Sequence, residues 1–363
     1  MKKLFLTGII GLKLCSSFAQ VIPEPLQYHC FRTTEPLKID GKLSEPAWQK
    51  AKWTSLFVDI EGNKKPNPLQ ATKAKLLWDD THLYIAAELE EKNIWAYQNK
   101  KDQIVFLEND FEVFIDPDGD AHNYFELEIN AINNTFDLFL PKPYRNGGNA
   151  LINWDIKQLK TAVSIDGTIN NATDTDKRWV IEMAIPFASI SLDNHLNKPE
   201  DLSLWRINFS RVEWNHEVQA GKYSRKRKED GQGVLPEYNW VWSPQGKIDM
   251  HMPENWGYLV FSDKKVGTED FDFPIPDIEK VKQIAWDIYH KQKEYFAKNH
   301  QYAKELSLLA IDPTVFKTSE LTHSIEIEAT SQTFVITIID KAENNKIFLN
   351  QDSLLKISKL KSL

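Results

Sequence analysis

The chain has 363 residues, 42% of them hydrophobic, with 12 Trp and a formal net charge of −8. Length and apolar content of this order support a large buried core, and the acidic balance disfavours nucleic acid and anionic membranes as partners, because phosphate binding needs a concentrated basic surface. No stretch after the first twenty residues reaches the roughly 20 apolar residues that a membrane-spanning helix needs.

Met1-Lys2-Lys3, the mostly apolar residues 4–14 and the small-x-small run Ser17-Phe18-Ala19 describe a cleavable secretory signal over residues 1–19. The expectation is an exported protein, secreted or periplasmic. A surface lipoprotein attached through Cys15 is the weaker alternative, since Leu14 is bulky for a lipid-attachment site. Removal of the signal leaves Cys30, which excludes an internal disulfide and a thiolate metal cluster.

Residues 20–37 read as an N-terminal extension. Ile39-Asp40-Gly41 opens the folded part, and Ser44-Glu45-Pro46-Ala47-Trp48 reads as one helical turn. Strand patterns follow at 71–78 and 83–89, separated by the turn Asp79-Asp80-Thr81-His82. Residues 110–131 read DFEVFIDPDGDAHNYFELEINA and predict an antiparallel hairpin. Because strand side chains alternate, Phe111, Val113 and Ile115 share one face with Phe125, Leu127 and Ile129, while Glu112, Glu126 and Glu128 crowd the other.

Further strands are expected at 135–140, 159–165, 179–185, 204–212 and 257–261. About nine or ten short strands with little helical periodicity between them point to an all-β, antiparallel β-sandwich of the jelly-roll kind over residues 38–262. The basic run 222–228 (KYSRKRK) reads as a solvated loop. Residues 263–276 read as a linker. Residues 277–309 follow as an amphipathic helix, with Ile278, Val281, Ala285 and Ile288 at helical spacing, and residues 310–363 as a small β-rich appendage.

No motif of a known catalytic centre is present. Paired glutamates such as Glu112 with Glu126 or Glu128 leave a glycoside hydrolase as an alternative. Ligand acceptors or solvated carboxylates are the plainer reading, and a protein-partner module using the apolar stripe of the C-terminal helix is a further alternative. Asp116, Asp118 and Asp120 resemble the start of a calcium loop but lack its closing glutamate, so a metal-free acidic turn stays open beside a structural calcium site. No other cofactor is required. Trp78 and Trp179 read as core. Trp95 and Phe106 flank a polar segment and read as exposed platforms for a sugar ring, with Arg206 either donating to hydroxyls or held in a buried Arg–Glu pair.

Ile39-Asp40-Gly41, Pro46-Ala47-Trp48, Leu77-Trp78-Asp79, Asn109-Asp110 with Glu112 to Asp116, and Trp256-Gly257 resemble, in that order, the motifs of family 9 carbohydrate-binding modules. The runs 123–131 (NYFELEINA), 240–246 (WVWSPQG) and 250–254 (MHMPE) look like signatures of a stand-alone exported branch. The resemblance implies a β-sandwich that binds glycans or sugar ends in polysaccharide catabolism, with calcium in structural roles. Founding members grip a sugar between two tryptophans, which fall here at Phe106 and near Met250. Glu112 matches a ligand-binding glutamate and Asn130 a strand asparagine, while Glu128 stands where the family has arginine. The implied contacts are therefore Trp95, Phe106, Glu112, Glu126, Glu128, Asn130 and Arg206, with Trp240 and His251 completing the cleft.

Overall fold

A computed structural model describes residues 24–191, 198–311 and 323–360. The expected signal at 1–19 and the Cys15 alternative lie outside the described residues.

The strands, in chain order, begin with β1 (Gln27–Arg32), β2 (Val58–Asp59), β3 (Thr72–Trp78), β4 (His82–Glu90), β5 (Asp110–Asp116) and β6 (Tyr124–Asn130). They continue with β7 (Thr135–Leu140), β8 (Lys160–Asp166), β9 (Arg178–Pro186), β10 (Leu204–Glu213), β11 (His216–Gln219) and β12 (Lys222–Arg225). The last six are β13 (Tyr238–Val241), β14 (Gly257–Lys265), β15 (His323–Ala329), β16 (Phe334–Asp340), β17 (Asn345–Asn350) and β18 (Leu355–Lys359). Helix α1 is Pro46–Lys50 and α2 is Asp277–Asn299.

The hydrogen-bonded order β7-β6-β5-β10-β14-β1-β3-β4-β9-β8, with β13 and β2 branching from β10, folds into two layers. β1 joins them, running parallel to β14 over most of its length and then meeting β3 at Phe31 and Arg32. Phe111, Val113, Ile115, Phe125, Leu127 and Phe209 from one layer pack on Leu76, Trp78, Ile85, Trp179, Ile181 and Met183 from the other. The alternation of the sequence thus becomes a β-sandwich core. The stretch expected as an extension supplies β1, where Cys30 is fully buried and unpaired. The short apolar pattern of 27–32 gives no local sign that its partners lie more than forty residues away.

Two sequence motifs turn out to be scaffold. Glu182 is buried on β9 and accepts hydrogen bonds from the Asp40 and Gly41 amides, both at 2.9 Å, and from the Trp48 indole at 2.7 Å. Gly41 has φ +77°, and a Cβ there would lie 2.9 Å from the Ser164 amide nitrogen. A side chain at Gly257 would likewise strike the Trp242 ring at 2.5 Å.

After β14 the chain forms a second unit. Val281, Ala285, Trp286, Ile288 and Tyr289 of α2 pack on Ile336, Ile338, Ile347 and Leu349 of the four-stranded sheet β15–β18. The apolar stripe that the partner-module alternative would use to hold another protein is therefore covered by the chain's own sheet. The helix stops at Asn299, short of the expected 309, because His300 turns left-handed at φ +56° and only a separate turn, Leu306–Leu309, follows.

Charged groups tie this unit to the sandwich. Arg206 donates to Glu279 at 3.1 Å, to the Trp256 carbonyl at 2.8 Å and to the Tyr258 hydroxyl at 2.7 Å. Lys282 meets the other oxygen of Glu279 at 2.6 Å. Glu254 accepts from Arg145 at 2.9 Å and pairs with His290 at 3.0 Å. Burial opposes ionisation of Glu254, but Arg145 and His290 hold its pKa down to about 2. Breaking a buried pair leaves an uncompensated charge, so Glu279→Ala is expected to destabilise the protein by about 3 kcal/mol in urea unfolding, with Arg206→Met in the same chain restoring most of the loss.

Candidate functional site

The outer face of β5 and β6 is a ladder of named neighbours. Ser210, Glu112, Glu128 and Phe136 stand in one row across β10, β5, β6 and β7, and Asn208, Phe114, Glu126 and Leu138 in the next. Directly opposed glutamates repel, yet this face is not open to water. The turn Val105–Leu107, residues 144–152, residues 237–239 and residues 250–251 wall it in, leaving a cavity of about 460 Å³ with Glu112, Glu126 and Glu128 in its lining. Phe106 and Tyr144 keep 39% and 45% of their surface exposed at its edge, and the Tyr144 ring meets His251 edge to face at 4.5 Å between centroids.

Burial governs the electrostatics. It raises the Glu112 pKa to about 7. It also raises Glu126 well above the carboxylate range, with Glu112 adding to the effect, and Glu128 likewise, with Glu126 and Glu112 adding. Asp110, two positions from Glu112 on β5 and fully buried, is raised by burial and then by Glu112 and Glu128. The Phe106 amide donates to Glu128 at 3.2 Å, but Glu126 Oε2 has no hydrogen-bond partner although Glu126 is only 4% exposed. His251 shares a 3.0 Å hydrogen bond with the Tyr124 hydroxyl, and burial, reinforced by Arg145, pushes its pKa down to about 4, so the ring is neutral.

The structure brings Phe106, Glu112, Glu126, Glu128 and His251 together around this cavity. Four expected contacts lie elsewhere. Trp95 is buried in a satellite cluster with Val212, Trp214 and Tyr223, where the β11–β12 hairpin covers it. Trp240 points into the core because its pairing with Arg211 on β10 sets that face, and the Arg211 guanidinium lies 5.2 Å from its ring centroid. Asn130 is fully buried and closes its turn, donating to the Gln98 carbonyl at 2.8 Å and accepting from the Asn134 amide at 3.0 Å. Arg206 is in the buried Arg–Glu pair, its partner being Glu279 of the helix.

Sequence reasoning missed Tyr144, Phe136, Glu237 and Asn239, which line the cavity. An aromatic among turn formers (PKPYRNGG) was the available signal for Tyr144. Met250, at the position of the family's second tryptophan, also lies in the lining, and Tyr144 supplies an exposed aromatic beside it.

The carboxylates of Asp116, Asp118 and Asp120 bring oxygens within 4.8 Å of one another. Asp116 accepts from the Gly119 and Ala121 amides, each at 3.0 Å, so it also closes its own turn. Burial and then Asp118 raise both Asp116 and Asp120, the latter to about 7. Crowded carboxylates of this kind fit a hard cation.

Residues 39–205 match the family described as Carbohydrate family 9 binding domain-like, and this part of the chain is similar to domains of that kind. Over 157 residues, or 43% of this chain, it is 27% identical to Exoglucanase XynX of Acetivibrio thermocellus, covering 12% of that protein. It is also 27% identical over 157 residues to Endo-1,4-beta-xylanase A of Thermoanaerobacterium saccharolyticum, covering 11% of it. The chain thus spans only a small part of the curated relatives that it matches. Among solved structures it is similar to a family 9 carbohydrate binding module from Caldicellulosiruptor kristjanssonii in complex with cellotriose, at 15% identity and a TM-score of 0.41 over 69% of this chain and 99% of that one.

A carboxyl whose folded pKa exceeds its unfolded value of about 4 binds more protons when folded, so its contribution to stability falls as pH rises between the two values. For Glu112 that window runs up to about 7. The melting temperature is therefore expected to drop by several degrees between about pH 5 and about pH 8, and Glu126→Gln to shrink the drop, as read by calorimetry across pH. Glu254 has the opposite sign, and its contribution is lost as pH falls toward about 2.

Proposed function

We propose that this chain binds carbohydrate in the cavity above β5 and β6. The observation that carries the reading is the pairing of two exposed rings, Phe106 and Tyr144, with a recessed floor of Glu112, Glu126 and Glu128. The C–H face of a sugar stacks on an aromatic ring, and its hydroxyls exchange hydrogen bonds with carboxyl groups. Asn239 and His251 supply further polar contacts in the lining. A family match over 39–205 supports the reading. The relatives' names, an exoglucanase and a xylanase, and the cellotriose held by a similar module, make β-1,4-linked glycans the first probes and polysaccharide breakdown the setting.

In this reading the protein acts by binding, and Glu112, Glu126 and Glu128 serve as hydrogen-bonding groups of the floor. The segment 1–19 as a secretory signal puts this binding outside the cytoplasm, where polymeric glycans are met. Asp116, Asp118 and Asp120 would hold a structural calcium ion that neutralises the loop between β5 and β6.

Calorimetric titration with cellotriose and xylotriose is expected to give saturable binding without product release. Phe106→Ala or Glu112→Gln is expected to weaken it about tenfold or more, while Trp95→Phe leaves it unchanged. For the acidic loop, calcium is expected to raise the melting temperature of the chelator-treated protein, and Asp118→Asn to remove that rise.

A further inference from the structure

Several buried carboxylates of the molecule have a fixed counter-charge, which the cavity floor lacks. Arg211 meets Glu91 at 2.7 Å and Glu213 at 2.8 Å, Glu279 lies between Arg206 and Lys282, and Glu254 between Arg145 and His290. Among the described residues that line the cavity, none is Lys or Arg, while Glu112, Glu126, Glu128 and Glu237 all do. Arg145, next in sequence to the lining residue Tyr144, donates to Glu254 and to the His251 carbonyl, and His251 itself is neutral. Glu126 Oε2, deeply buried and lining the cavity, is without a partner.

Burial favours the protonated form of the floor, and a neutral sugar brings no charge to reverse this, whereas an ammonium group beside the carboxyls favours their ionised form. Given the carbohydrate reading, on which this inference rests, we propose that the cavity selects sugars bearing a free amino group, the protonated amine resting on Glu126 and Glu128 and the ring on Phe106 or Tyr144. A bare divalent cation would use the carboxylates alone. The remaining wall, with Phe114, Phe136, Leu138, Ile152 and Met250, is apolar and suits the carbon skeleton of an organic cation.

The test is calorimetry on the full chain at neutral pH and low salt, in the presence of chelator. The probes are a β-1,4-linked glucosamine trimer, its fully N-acetylated counterpart and cellotriose, with calcium and magnesium chloride titrated separately without chelator. The glucosamine trimer is expected to bind about tenfold or more tightly than the other two, since a charge-assisted contact is stronger than a neutral one. That preference should fade with added salt and be lost in Glu126→Gln and in Glu128→Gln, the glucosamine trimer losing several-fold more affinity than cellotriose in each.

Equal affinity for the three saccharides would overturn the amine preference and leave the carbohydrate reading standing. Binding of cellotriose alone would do the same. Tight binding of calcium or magnesium that is abolished by Glu126→Gln, without amine preference, would make the floor a metal site and overturn the proposal. Silence from every saccharide would remove both readings together.

Discussion

A carboxylate taken out of water needs a cation, several hydrogen-bond donors or a proton, and the architecture of this protein follows from how it meets that need. Glu182 on β9 takes donors from the first turn of the fold and so fastens Asp40, Gly41 and Trp48 to the sandwich. Glu91 and Glu213 close one edge around Arg211. Glu279 reaches from α2 to Arg206, and Glu254 reaches from the sandwich side to His290. The second unit is thus docked by compensated charge as much as by its own apolar core.

The floor of β5 and β6 is the exception. Strand pairing sets Glu112 opposite Glu128 and brings Glu126 beside them, and the surrounding loops bury all three. A face that holds unpaired carboxylates in a recess under two rings is poor as a structural element and well suited to a ligand that supplies donors or charge. The same burial that opposes ionisation of the floor strengthens each contact a ligand makes there.

The faces of the hairpin were legible in the sequence because side-chain alternation is local, and it assigned Phe111, Val113 and Ile115 to the core and the glutamates to the opposite side. Most strands were legible for the same reason. The motifs that carry the family resemblance were legible too, but several of them turn out to be scaffold: Ile39-Asp40-Gly41 serves Glu182, and Trp256-Gly257 serves close packing on Trp242. What could not be read was anything decided by partners distant in sequence. Trp95 seemed suited to an exposed platform until the β11–β12 hairpin folded over it, and Tyr144 became a wall of the site only because its loop lies next to residues 250–251. Arg206 belonged to one of two readings, and the choice depended on Glu279, more than seventy residues away.

The most direct test of the central claim is a crystal structure of the chain grown with a bound oligosaccharide. The account predicts a sugar ring against Phe106 or Tyr144 with a hydroxyl or amine at hydrogen-bonding distance, about 3 Å, from Glu126. Sugar density seated on another surface, such as the polar cleft beside Gln70, Glu88 and Arg178, with the cavity free of ligand, would contradict it.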